Sequence, residues 1–343
     1  MPISVDLGAH KIPDSLTPQR QRLSQRVHPW HGSGRAMPSD TLPPPTRRSQ
    51  AETGPRRRRK SDPSLGAWSL RGPVRQENQD RVRVAWVGDT ALIVMADGVG
   101  GQPLGGEAAE VVTNHAFRRL RRELPTAVGV EGVRTLLLST VWSAAGSLSA
   151  EAQARGIRPS ADGLRTTLIL AVALADTYVV AWLGDGGACV LRGKAKTEQL
   201  LEPHKSPDAP TLLEASLGPE TDGTPNWAIK PRQPGDTFLV STDGVADRFD
   251  AAVAAKLHTA IARSKGHAKW ALQDFLADLT RQKNAVGRFT FTDNVTAALV
   301  LTDGTPATAA PGAEKRGSIG AAQTVVVKTR HRDRTAARVG SSH

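Results

Sequence analysis

The sequence predicts an α+β protein, an antiparallel sheet core with helices packed outside it. Three observations carry this: Val-, Ile- and Leu-rich runs crowd the middle of the chain, several of them lie only a few residues apart, and two helix-rich blocks interrupt the series. Links that short favour hairpins, because a parallel pair needs a long crossover. The strand candidates are 67–70, 81–87, 91–96, 167–175, 178–183, 188–192, 227–230, 237–241 and 295–301, with tight hairpin turns expected at 176–177 and 185–187.

The first helical block covers 106–122, is broken by Pro125 and resumes over 131–155. Ala108, Val112, Ala116 and Leu120 recur every fourth residue and form one buried stripe. Arg118, Arg119, Arg121 and Arg122 crowd its last turn, where the negative end of the helix dipole accounts for them without a ligand. The second block, 251–263 and 267–285, carries Trp270, Leu272, Phe275, Leu276 and Leu279 in helical order.

Charge separates this middle from the ends. Residues 1–65 carry a net +7 and residues 304–343 a net +5, so the span between them is neutral although the 343-residue chain totals +12. Both ends read as disordered basic segments, the first closing on Arg56, Arg57, Arg58, Arg59 and Lys60. A solvated linker, or residues upstream of a later start such as Met37, explains that run better than an arm for nucleic acid. No stretch is long and apolar enough for a membrane span, and no apolar segment follows Arg47 and Arg48 as a twin-arginine signal requires. The single cysteine, Cys189, excludes an intrachain disulfide and fits a reducing compartment, so a cytoplasmic location is expected.

The stretch VMADGVGGQPLGGEAAEVV, 94–112, invites a nucleotide-binding reading that its residues refuse. Gly98 and Gly100 begin a dinucleotide fingerprint, but Pro103 stands at its third glycine. Gly101 and Gly106 have P-loop spacing, but Glu107 and Ala108 follow where Lys and a hydroxyl are required. A cation site does better. Asp97 follows an apolar strand, and Gly98 has no side chain to shield its carbonyl; carboxylates and carbonyls are what hard cations bind. The arrangement recurs with Asp243-Gly244 after 237–241, Asp185 after 178–183, and Asp293 before 295–301. Strands of one sheet are expected to carry these four to a common edge, where their repulsion calls for divalent cations.

In order, Arg75-Gln76-Glu77-Asn78-Gln79-Asp80, Asp97-Gly98-Val99-Gly100-Gly101, Gly184-Asp185, Ser241-Thr242-Asp243-Gly244-Val245 and Asp293-Asn294 resemble the motifs of the metal-dependent Ser/Thr protein phosphatases of the PP2C (PPM) family, bacterial type. The resemblance covers 66–303. It implies a four-layer αββα sandwich of two mainly antiparallel sheets flanked by helix pairs, with a binuclear Mn²⁺ or Mg²⁺ centre at one edge. By motif position Asp97 would bridge both metals, Gly98 would give its carbonyl to one, and Asp243 and Asp293 would hold the other. Asp185 would hold a third, weaker metal. Arg75 would grip the substrate phosphate, Asp80 would orient water from behind the ligands, and residues 202–217 would form a flap over the site.

The implied chemistry is hydrolysis of phosphoserine and phosphothreonine on proteins phosphorylated by a cognate kinase. Two cations lower the pKa of a bridging water, and the resulting hydroxide attacks phosphorus in line. A catalytically silent scaffolding relative would be expected to lack a core ligand, whereas Asp97, Asp243 and Asp293 are all present. The chain departs from the pattern at Val99, where eukaryotic members have His, at Gly186 in place of serine, at Arg165 in place of a small residue, and at Gln79 in place of an acid. Gly186 and Arg165 bring the third metal's geometry into question, and Gln79 a water-mediated contact to the second.

Overall fold

The computed structural model describes residues 62–302 apart from 100–102, 159–162, 194–195, 207, 210–211 and 222. The basic ends expected over 1–65 and 304–343 therefore lie outside the described residues, except for 62–65. Within them the chain runs β1 (Leu65–Leu70), β2 (Arg81–Val87), β3 (Thr90–Ala96), α1 (Gly105–Glu123), a 3-10 turn (Leu124–Thr126), α2 (Gly129–Arg155), β4 (Leu168–Ala173), β5 (Thr177–Leu183), β6 (Gly187–Arg192), β7 (Lys196–Gln199), β8 (Asn226–Pro231), β9 (Thr237–Ser241), α3 (Asp243–Ala246), α4 (Ala251–Arg263), α5 (Ala268–Arg281) and β10 (Val295–Leu301).

The strands form two five-stranded antiparallel sheets, ordered β1-β10-β9-β6-β7 and β2-β3-β4-β5-β8. Each strand buried on both faces divides its side chains between two cores. On β3, Leu92, Val94 and Ala96 pack with Val112, Leu120 and Leu137 of α1 and α2, while Ala91, Ile93 and Met95 face Phe238, Val240 and Val300 of the other sheet. That double burial is why β3 reads as an unbroken apolar run rather than an alternating one. The helices α4 and α5 cover the outer face of the first sheet through Leu257, Leu272, Phe275 and Leu276. Between the sheets the rings of Tyr178 and Phe238 meet with centroids 4.5 Å apart. The layers are α-β-β-α, as the family resemblance implied.

Two local expectations fail, and one strand was not foreseen. The turn at 185–187 is no hairpin: β5 pairs with β4 and β8, β6 with β9 and β7, so here the chain passes from one sheet to the other. Short spacing cannot distinguish that passage from a hairpin, because both need a tight reversal. Helix α5 stops at Arg281 rather than at 285, since Asn284 takes the backbone N–H groups of Val286 and Arg288 at 3.1 and 3.0 Å and builds a turn. The edge strand β7, with sequence KTEQ, carries no apolar pattern to announce it. Its polar residues suit an exposed sheet edge, which charge protects from pairing with another chain.

Candidate metal centre

Asp97 follows β3 and is pinned by the segment entering β4. Its carbonyl accepts from the N–H of Thr167 at 2.8 Å and from the Thr166 hydroxyl at 2.7 Å, and its own N–H donates to Thr167 Oγ1 at 3.0 Å. The next residue lies so close to the start of α1 that a Cβ on Gly98 would collide with the backbone of Gly105. Only glycine permits that approach, and it leaves the Gly98 carbonyl unshielded.

Asp243 opens α3 directly after β9. A Cβ on Gly244 would collide with the carbonyl of Asn294, so the Asp243 turn packs against the corner that precedes β10. In that corner Asp293 Oδ1 accepts from the N–H of Asn294 at 2.7 Å, and buried Asn294 accepts from Gly72 N–H at 3.2 Å, fixing the loop that carries Arg75. The Arg75 Nη2 donates to Asp293 Oδ2.

Beneath lies Asp80, only 3% exposed. Its Oδ2 accepts from Thr242 Oγ1 at 2.9 Å, while its Oδ1 and the Oδ1 of Asp243 are buried without a hydrogen-bond partner. The three carboxyls form a row with Asp97 in the middle, within hydrogen-bonding reach of both others. Burial pushes Asp80 and Asp243 up to about 6, with Asp243 adding to the effect on Asp80, and Asp185 and Asp293 adding to the effect on Asp243. Asp97 is raised further, by burial first and then by its two neighbours. Carboxylates this close ionise together only if a cation lies between them.

Contrary to expectation, the four candidate aspartates do not come from one sheet. Asp97 and Asp185 follow strands of the second sheet, while Asp243 and Asp293 flank strands of the first, so the cluster spans the end of the sandwich. With Arg75, Lys205 and the segment around Leu212 and Ser216, they border a cleft of about 1040 Å³. Among the described residues no three His, Cys, Asp or Glu side chains surround a single point as a finished cation site. One expected ligand, Asp293, is instead paired with the Arg75 guanidinium. The donor set is all oxygen, crowded, anionic and partly unpartnered, which is the chemistry that hard cations bind.

Beside Asp185, which also acts on Asp243, stands Lys205. The Lys205 Nζ lies 3.5 Å from Asp185 Oδ2 and 2.6 Å from both carboxylate oxygens of Asp247. Nor could serine simply replace Gly186, since a Cβ there would press on Ile169 at 2.6 Å and on the Ser241 carbonyl at 2.7 Å. Arg165 is explained by the segment opposite: its Nε and Nη2 donate to Ser216 Oγ at 3.0 and 2.9 Å, clasping the end of the expected flap. Lys205, Asp247, Thr166, Thr167 and Thr242 are site residues that pattern reasoning missed. In sequence Lys205 is one loop cation among many and Asp247 one turn aspartate, and no motif marks either.

The family model described as Protein phosphatase 2C matches residues 74–282. The fold is similar to that of the S. agalactiae serine/threonine phosphatase, with 20% identity, 70% of this chain and 99% of that chain covered, and a TM-score of 0.56. It is also similar to the Mycobacterium tuberculosis serine/threonine phosphatase PstP/Ppp, with 21% identity, coverage of 70% and 98%, and a TM-score of 0.54. The PstP catalytic domain solved in complex with two manganese ions matches at 21% identity, coverage of 70% and 97%, and a TM-score of 0.53. No curated protein matches the sequence significantly.

Proposed function

The chain belongs to the protein phosphatase 2C family and is by that membership a serine/threonine protein phosphatase, and we propose that it hydrolyses phosphoserine and phosphothreonine on proteins at a two-cation centre. The observation that carries this reading is the close grouping of Asp97 and Asp243, in a cleft that Arg75 also borders, with buried Asp80 behind them and an unpartnered oxygen on Asp80 and on Asp243.

Asp97, the Gly98 carbonyl, Asp243 and Asp293 would hold the two cations, Mn²⁺ or Mg²⁺. Bound there, the cations would supply Lewis-acid chemistry, lowering the pKa of water at the site. Arg75 would bind the phosphoryl oxygens, for which a planar guanidinium fork is suited, exchanging its partner Asp293 for the substrate. Asp80, buried and hydrogen-bonded by Thr242, would accept a hydrogen bond from the attacking water and fix its direction. No nucleophilic side chain is needed. Cys189 lies in the core on β6, with its thiol pushed up to about 12 by burial. The phosphatase's substrates would be made by a kinase that transfers phosphate to serine or threonine, and we place both in the cytoplasm. No described helix is long and apolar enough to cross a membrane.

Hydrolysis of a phosphothreonine peptide, with and without Mn²⁺, tests the reading alongside Asp243→Ala. Cation-dependent hydrolysis that the substitution abolishes supports it. A rate indifferent to Mn²⁺, or full activity in Asp243→Ala, overturns it.

A further inference from the structure

Lys205 stands where the sequence led us to expect a cation from solution. Its side chain is 15% exposed and that of Asp185 is 12% exposed, so the pair is largely withdrawn from water, while Asp247 is half exposed at 50%. An ammonium has three N–H donors. Here its nitrogen lies 2.6 Å from both oxygens of Asp247 and 3.5 Å from Asp185 Oδ2, and it feels the charge of Asp243 as well.

The backbone delivers the side chain to this spot. The His204 N–H donates to the Gly184 carbonyl at 3.0 Å, and the Gly184 N–H donates to His204 Nδ1 at 3.0 Å, so the residue before Lys205 is fastened to the residue before Asp185. The Glu214 N–H donates to the His204 carbonyl at 2.9 Å, and Lys205 itself pairs with Leu213. A charge held by such a scaffold competes at a high local concentration against any ion arriving from solution. It also has no need to shed a complete hydration shell.

We propose that the ammonium of Lys205 is a built-in cation at the Asp185 corner, so that this chain takes two divalent cations and has no third site there. The inference rests on the two-cation reading above and replaces the expectation that Asp185 holds a metal. Asp185 becomes a positioning residue, which with Asp247 anchors the 202–217 segment beside the cleft through Lys205.

The test is a count of bound Mn²⁺ by equilibrium dialysis and by electron paramagnetic resonance of free Mn²⁺, on the full chain and on Lys205→Met and Lys205→Arg. Two ions per chain in the parent and in Lys205→Arg, rising to three in Lys205→Met, is the expected result. Three ions in the parent, or two in Lys205→Met, overturns the proposal while leaving the two-cation reading intact. Absence of Mn²⁺ binding by the parent overturns both. Should Lys205→Met fail to fold, the parent is titrated with Mg²⁺ while the ¹⁵N-labelled lysine ammonium signals are followed. A Lys205 signal that persists unshifted at two equivalents and beyond supports the built-in cation, and one displaced by a third equivalent overturns it.

Discussion

Arg75 Nη2 donates to Asp293 Oδ2 across 218 positions of sequence, so the residue read as the phosphate clamp and a residue read as a cation ligand are each other's partner. Both duties require the pair to part. A cation on Asp293 would release Arg75 towards phosphate, and phosphate on Arg75 would release Asp293 towards a cation. The two ligands should therefore bind with positive coupling, and by linkage each should strengthen the other by the same factor. Isothermal titration of inorganic phosphate at low and saturating Mn²⁺ should give tighter phosphate binding in the second case, and equal affinities would contradict this.

Replacing Arg75 separates its two roles. In Arg75→Ala, kcat/KM should fall by about tenfold to a hundredfold, the worth of a hydrogen bond between charged groups. Mn²⁺ affinity should move the other way, rising by about two- to fivefold, because a partly exposed competitor for Asp293 has gone. A parallel loss of metal affinity would instead mark Arg75 as part of the scaffold.

The carboxyl row makes the metal-free protein sensitive to pH. Asp80 and Asp243 titrate near 6 in the folded chain against an ordinary value of 3.8, and Asp97 is raised as well. A raised acid means that the folded state holds its protons more firmly than the unfolded state does. Stability is therefore fully present at pH below the ordinary value and declines as pH rises towards 6 and past it. With chelator present, the contribution of these groups should lower Tm between pH 5 and pH 7.5. Added Mn²⁺ should raise Tm more at pH 7.5 than at pH 5. Thermal unfolding followed by tryptophan fluorescence checks both, and a Mn²⁺ increment independent of pH would contradict the row.

Gly244→Ala tests how tightly the Asp243 turn must sit against Asn294. The added methyl meets backbone, which cannot swing away, so overpacking should cost about 1–3 kcal/mol in urea unfolding. Mn²⁺ affinity should also fall, because Asp243 and Asp293 are pushed apart. Affinity unchanged despite the stability loss would place the cation elsewhere.

Cys189 should play no chemical part. Buried, with its thiol raised to about 12, it should react with a thiol reagent only after unfolding, and Cys189→Ala should keep the parent's kcat/KM. Rapid labelling of the folded chain would contradict its placement in the core.

The layers and most strand limits were legible because burial on two faces leaves long apolar runs, and β2, β9 and β10 lie where their patterns predict. The aspartates were legible as strand-end residues for the same reason: the strands are easy to see, and the acids stand at their ends. What could not be read was which sheet each strand joined. The passage at 185–187 has the same spacing as a hairpin, and so the site's origin in both sheets stayed hidden. Lys205 and Asp247 were illegible for another reason. Their meaning comes from a fold that sets residues 42 apart against each other, and neither lies in a periodic or glycine-marked context.

Because the acids descend from opposite sheets, the geometry of the acidic cluster records how the two sheets are stacked. Tyr178 and Phe238, far from the cleft in function, help set that stacking. A substitution that slides one sheet over the other by a fraction of an ångström would alter the spacing of Asp97 and Asp243 before it unfolded anything. Loss of metal affinity in an interior variant would then report misaligned layers, and the affinity itself becomes a measure of register between two sheets that share no backbone hydrogen bond in the strand pairings.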